Sequence, residues 1–174
     1  MHRKKFVLVA VLLAAVSSVS LFGQTRAKFV SQDGGFTIDL PREGLQGIEP
    51  IGDLTSGSGS YAWVTEDGQF SVSYLEDAFS MRDADGSLAK LADVIVNSPA
   101  NRQAKIMGRR SFVADGNQVL ELKIKRPGGW AINRLIMVKR RLFVLTADWT
   151  DGDGSPAQTV LDSLQLVDSK SFIA

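Results

Sequence analysis

The stretch Asp115-Gly-Asn-Gln-Val-Leu-Glu-Leu-Lys-Ile-Lys-Arg-Pro-Gly-Gly-Trp-Ala-Ile-Asn-Arg-Leu-Ile-Met-Val-Lys-Arg-Arg-Leu-Phe-Val-Leu-Thr-Ala147 decides the fold. Three turn signals punctuate it: Asp115-Gly-Asn117, Pro127-Gly-Gly129 and the basic Lys139-Arg-Arg141. Between them lie apolar-rich runs at Val119–Lys125, Trp130–Val138 and Leu142–Ala147, and a fourth, Ile106–Ala114, precedes the first turn. Connections this short join only antiparallel neighbours, because a parallel partner needs a long crossover. Leu142–Ala147 is almost continuously apolar, which predicts a central strand covered on both faces.

Upstream, the period-two pattern continues. Tyr61–Thr65 and Gln69–Leu75 flank Glu66-Asp-Gly68, a hairpin signal in which glycine supplies a positive φ cheaply. Lys28–Val30 runs through the turn Gln32–Gly35 into Phe36-Thr-Ile-Asp-Leu40, whose apolar residues alternate until Pro41 stops the strand. Residues 42–60 are rich in glycine and read as a loop. They lack the lysine followed by Ser or Thr that grips a nucleotide phosphate, so they are no phosphate cradle.

Two segments change period. Leu88, Leu91, Ala92 and Ile95 fall on one helical face, opened by Asp85 or Ser87 and stopped before Pro99. Ser155, Pro156 and Gln158 form a capping-box start to a second helix that buries Ala157, Val160, Leu161 and Leu164. Together these elements predict an α+β domain: a single antiparallel sheet of about six to seven strands flanked by two helices, an α/β/α-type sandwich. No internal repeat or domain boundary interrupts it.

The N-terminus carries a different message. Arg3, Lys4 and Lys5 precede an apolar run from Phe6 to Val16, followed by Ser17, Ser18, Ser20 and Gly23. This predicts a secretory signal over 1–23 and a single domain over 24–174, exported to the periplasm or the extracellular space. After signal cleavage no integral membrane span is expected. The only histidine of the 174 residues is His2, inside the signal, and there is no cysteine. The exported chain then lacks the usual general base, the commonest metal ligand and the thiolate nucleophile. Of the 20 Lys and Arg residues three lie in the signal, and all 19 acids lie beyond it, so the exported domain has a net charge of −2. Such a balance argues against nucleic acid, whose phosphates demand a strong basic excess.

Candidate sites follow from what remains. Asp83-x-Asp85-Gly86 and Asp151-x-Asp153-Gly154 begin like cation loops, but the twelfth positions are Val94 and Asp162, so the ligand set is incomplete. Turn and capping roles account for these aspartates. Glu121, or Glu66 with Asp67, offers carboxylates, yet nothing in the sequence sets two across a cleft. Ser87-Leu-Ala-Lys90 matches a serine–lysine spacing only in its letters. Trp63, Trp130 and Trp149 are expected in the core or in hairpin packing. No catalytic residue, metal or cofactor is therefore expected, and the chain reads as no enzyme. The basic cluster is the one binding candidate: Arg109, Arg110, Lys123, Lys125, Arg134, Arg140 and Arg141 as a patch for an acidic protein or an anionic envelope surface. Nine of the 17 cations beyond the signal fall within residues 109–141, on successive hairpin strands that bring side chains to shared faces. Lys and Arg also protect strand edges from aggregation, which is the competing explanation of such a cluster. A non-catalytic exported domain that binds or supports another envelope component is the leading reading. A small apolar-ligand carrier beneath the Gly57–Gly59 loop, or a carboxylate- or Ser/Lys-dependent hydrolase, is the alternative.

Gly34-Gly-Phe-Thr-Ile-Asp-Leu-Pro41, Arg141-Leu-Phe-Val-Leu-Thr-Ala147 and Val160-Leu-Asp-Ser-Leu-Gln-Leu166 resemble the opening strand and the ending of the PsbP-like family. This is the fold shared by the extrinsic subunit of the oxygen-evolving complex and by Mog-type Ran-binding proteins. The resemblance covers residues 28–167 and implies the fold and a non-enzymatic habit. It transfers no functional residue: the histidines proposed as metal ligands in photosynthetic members have no counterpart here.

If the signal is removed, intact-mass measurement of protein recovered from its host will find an N-terminus between Val19 and Lys28. Recovery of intact Met1 on membrane-bound protein overturns the cleavage.

Overall fold

In the computed structural model, which describes residues 26–41, 49–50, 58–65, 68–76, 84–150 and 154–167, the four apolar runs at the centre of the chain fold as an antiparallel meander. Its strands are β6 (Lys105–Ala114), β7 (Asn117–Arg126), β8 (Gly129–Val138) and β9 (Arg141–Trp149). The two-residue turn between β6 and β7 places both Asp115 and Gly116 at positive φ, 50° and 75°, as a primed hairpin turn requires. The expected signal 1–23 and the Glu66-Asp67 turn residues lie outside the described residues.

The hairpin of β4 (Ser58–Val64) and β5 (Gly68–Glu76) joins this meander through β5, which pairs along its whole length with β9. With the two-residue β3 (Glu49–Pro50) the large sheet runs β3-β4-β5-β9-β8-β7-β6. The apolar run of β9 is indeed central, between β5 and β8. Its side chains divide between two cores, Phe143, Leu145, Ala147 and Trp149 on one face and Leu142 on the other.

A second sheet corrects the single-sheet expectation. β1 (Arg26–Ser31) and β2 (Phe36–Pro41) pair with each other and, through β2, with β10 (Gln165–Leu166); they make no ladder with the large sheet. The physical reason is burial. Phe36, Ile38 and Leu40 are needed as a cover for the large sheet, where they meet Tyr61, Trp63 and Phe143 in one core. Phe29 completes an aromatic cluster, its ring 5.1 Å from Tyr61 and 5.2 Å from Trp63. A strand that covers a face cannot also extend its edge.

The helices complete the layers. α1 (Ala84–Val96) lays Leu88 and Ala92 on the face formed by Leu120, Leu122, Ile124, Leu135 and Met137, with Leu91 and Ile95 at the margin, as the helical spacing predicts. α2 (Ser155–Asp162) buries Ala157, Val160 and Leu161 on the opposite face, beside the small sheet. The order is therefore α1, large sheet, then small sheet with α2. Two local expectations fail. Gly154, in the left-handed region at φ 78°, occupies the N-cap of α2 instead of Ser155, and Gln158 donates to Asp162 within the helix. Residues 58–60, read as loop, are the start of β4, where Gly59 lies against the Tyr74 ring.

Leu161 is 2% exposed, so Leu161→Ala is expected to cost about 2–5 kcal/mol in urea unfolding. A variant as stable as the parent chain shows that α2 is not docked.

Candidate functional site

Register decides where the basic cluster goes. Pairing across β6, β7 and β8 aligns Arg110, Glu121 and Arg134 in one row. They share the face that carries the small sheet and α2. Glu121 and Arg134 are both 7% exposed. Arg134 donates from Nε and Nη2 to Glu121 Oε2 at 2.9 and 2.7 Å, from Nη1 to the Leu161 carbonyl at 2.9 Å, and from Nη2 to Asp162 at 2.6 Å. Arg110 closes the row by donating from Nε to Glu121 Oε1 at 2.8 Å. A cation at the last carbonyls of α2 also meets the negative end of the helix. Arg134 thus leaves the surface patch: it fastens α2 to the sheet.

Three more arginines turn out to be fasteners. Arg109 points to the α1 face and bonds Asp93 at 2.8 Å and the Ala89 carbonyl at 3.3 Å. Arg141 reaches the β1–β2 turn, donating to the Gly34 carbonyl at 2.7 Å, and it also bonds Glu76. Arg126, at the end of β7, donates to Asn101 at 2.8 Å and to Asp148 at 2.5 Å, linking the exit of α1 to the end of β9. Arg140 sits in the β8–β9 turn, at the opposite end of the sheet from Lys125. The seven residues read as one patch therefore do not share one surface.

What remains together is smaller. Lys123 and Lys125 follow Glu121 on its face of β7, beyond the reach of α2, and the ladder sets Lys105 directly opposite Lys125. Lys105 was not among the sequence candidates. It reaches this face through a β-bulge between Ile106 and Gly108 that shifts the register of β6 by one residue, a bulge for which the isolated Gly108 is the sequence signal. Gly108 opposite Lys123 leaves the surface beside that lysine open, and the Arg110 side chain is 61% exposed despite its bond to Glu121. The Lys123 and Lys125 ammonium groups lie 5.1 and 4.5 Å from the Trp130 ring centre, which holds them in place. Trp130 in turn stacks on Trp149, 6.4 Å between centres and 8° between planes. The Trp149 indole also meets Gly154 so closely that a Cβ there would lie 2.2 Å from it. Trp149 is buried and Trp130 half-buried, and the stacked pair packs the hairpin ends. This open part of the face holds Lys105, Arg110, Lys123 and Lys125, with Glu121 and Arg134 behind them.

A cleft of about 360 Å³ opens at the nearby strand ends, between Gly68 of β5, the β7–β8 turn and Trp149. Gly68 and Gly129 flank β9 here, and a Cβ on either would lie 2.1 or 2.5 Å from a carbonyl oxygen of Asp148 or Trp149. The ionisable lining is the Arg126–Asp148 pair. Burial pushes the Asp148 carboxyl above its ordinary range, against the opposing pull of Arg126. Glu121 does not line the cleft. Ser87 and Lys90 lie on α1, Lys90 exposed to solvent. Asp85 falls within α1, while Asp83, Asp151 and Asp153 lie outside the described residues. Among the described residues no three acidic groups gather as a metal site.

The fold is PsbP-like. The chain superposes on the solution structure of cyanobacterial PsbP, CyanoP, from Synechocystis sp. PCC 6803 with a TM-score of 0.58 and 12% identity, covering 88% of this chain and 99% of that one. A crystal structure from Bacteroides thetaiotaomicron matches at TM-score 0.45 and 16% identity, over 83% of this chain and 49% of that one. A Pseudomonas aeruginosa protein of unknown function, PA94, matches at 0.42 and 14%, over 79% and 94%. No protein-family model and no curated protein sequence matches the chain.

Removing Arg134 leaves the buried Glu121 carboxylate to the exposed Arg110 guanidinium and frees the end of α2. Arg134→Ala is expected to lower unfolding stability by about 3–5 kcal/mol, whereas Lys125→Ala changes it by under about 1 kcal/mol. Equal stabilities for the two variants show that the buried row does not hold α2.

Proposed function

We propose that this is a non-catalytic, exported binding domain whose contact surface is the open cationic part of the large sheet, and that it engages an anionic component of the cell envelope. The observation that carries this reading is the convergence of Lys105, Arg110, Lys123 and Lys125 on the part of one face that lies beyond α2. Lysines here keep their charged heads in water while their stems lie along the sheet, so the charges stay within reach of an anionic partner. The Trp130 ring fixes two of them, lowering the ordering cost of contact. Catalysis finds less support: Glu121 is held by two guanidinium groups, and the acid in the cleft is tied to Arg126 at 2.5 Å. Export is proposed from the basic and apolar N-terminal pattern. No helix among the described residues is long and apolar enough to cross a membrane.

The test replaces Lys105, Lys123 and Lys125 together by Glu in the full chain. Thermal unfolding is expected to stay within a few degrees of the parent. Retention of the parent on heparin and on vesicles containing phosphatidylglycerol should fall with added salt, the screening length being about 8 Å at physiological strength, and retention of the variant should be lost. A variant retained as well as the parent eliminates this surface.

A further inference from the structure

Taking the anionic partner proposed above as given, we propose that the partner is a protein, and that an extended acidic segment of it adds as a new strand to the outer edge of β6 from Gly108 to Ala114.

β6 ends the large sheet, and nearly all of its ten residues are exposed. A long edge strand presents unpaired backbone N–H and C=O groups, and natural proteins normally shorten or cover such an edge. Here the bulge before Gly108 disturbs only the first residues. From Gly108 to Ala114 the ladder with β7 is regular over seven residues. The edge also bears apolar side chains that a purely protective strand has no use for. Val113 is 61% exposed, and the half-buried Phe112 borders it on the other face under the Arg110 guanidinium, 5.0 Å from its ring centre.

The side-chain order defines the occupant. Alternation puts Arg110 and Phe112 on one face and Arg109 and Val113 on the other, so each face offers one cation followed by one apolar residue. Strand addition takes its affinity from main-chain hydrogen bonds and its selectivity from the alternating side chains. A complementary antiparallel strand carries two adjacent apolar residues opposite Val113 and Phe112, and two adjacent acids opposite Arg110 and Arg109. Each guanidinium has five donors, so a carboxylate arriving from outside can share it with Asp93 or Glu121. β6 itself contains no acid, and Lys105 adds a further cation at its start. Antiparallel pairing of Gly108–Ala114 with a second copy would set Arg109 opposite Val113 and Arg110 opposite Phe112, and a second β6 offers neither arginine an acid. Charge therefore selects an acidic foreign strand over self-pairing.

The experiment uses the full chain and the blocked heptapeptide Thr-Val-Val-Thr-Glu-Glu-Thr, labelled for fluorescence anisotropy, with polyglutamate as a polyanion that lacks strand propensity. Two further peptides carry N-methyl groups on one or the other alternate set of amides, leaving charge unchanged. Binding is expected to weaken roughly tenfold or more for the set whose N–H groups face β6, and little for the other set. Amide exchange in Gly108–Ala114 should slow on adding the unmethylated peptide. Equal binding of all three peptides, or binding of polyglutamate alone, overturns strand addition while leaving the anionic surface intact. Failure of both peptide and polyglutamate overturns the surface as well. A stable dimer in sedimentation with β6 amides already protected assigns the edge to a second copy and also overturns the proposal.

Discussion

The pair formed by Arg134 and Glu121 holds the layers in register. Both charges lie away from water, so each has to satisfy the other, and the guanidinium has donors left for the end of α2. That contact fixes α2, and α2 fixes the small sheet: the Ser163 hydroxyl, donating 2.7 Å to the Val160 carbonyl, accepts the Asp39 amide of β2 at 2.9 Å. Apolar burial supplies most of the attraction between these layers. It is non-directional, and the buried charges add the geometry that selects one seating of helix on sheet.

Arginine and lysine divide the labour along one short stretch of chain. Arg109 fastens α1, Arg126 the α1 exit and the end of β9, Arg134 α2, and Arg141 the β1–β2 turn. Each task calls for a planar group that can donate to a carboxylate and a carbonyl together, which an ammonium does less well. Lys105, Lys123 and Lys125 face outward. A cluster that looks uniform by charge thus has two physical roles, one within the molecule and one towards its surroundings.

Much of this was legible before any coordinate. The meander, the central position of β9 and the apolar face of α1 follow from turn lengths and period. The row of Arg110, Glu121 and Arg134 was also within reach, because two-residue turns at Asp115-Gly116 and Pro127-Gly128 fix which residues stand opposite. Burial of that row was not legible, since it depends on α2, which is more than twenty residues away. The separate small sheet was hidden for the same reason. β2 alternates like any half-buried strand, and only the position of Leu166 beside Phe36 shows that it pairs with the chain's far end. The bulge that delivers Lys105 is marked only by the isolated Gly108, which does not by itself fix where the register shifts, and Gly154 took the cap because its backbone, unlike that of Ser155, tolerates a positive φ against Trp149.

The pairing of β10 with β2 has a kinetic corollary. β6 to β9 close by local hairpins, whereas Val167 donates to the Gly35 carbonyl at 2.8 Å across most of the chain. Contacts between distant segments form late, because the loop they close must lose its entropy first. The aromatic cluster beneath β2 cannot be sealed until the last thirty or so residues have been synthesised. A nascent chain therefore keeps Phe36 and Ile38 without their full cover until α2 and β10 have been made, a state that holdase chaperones recognise.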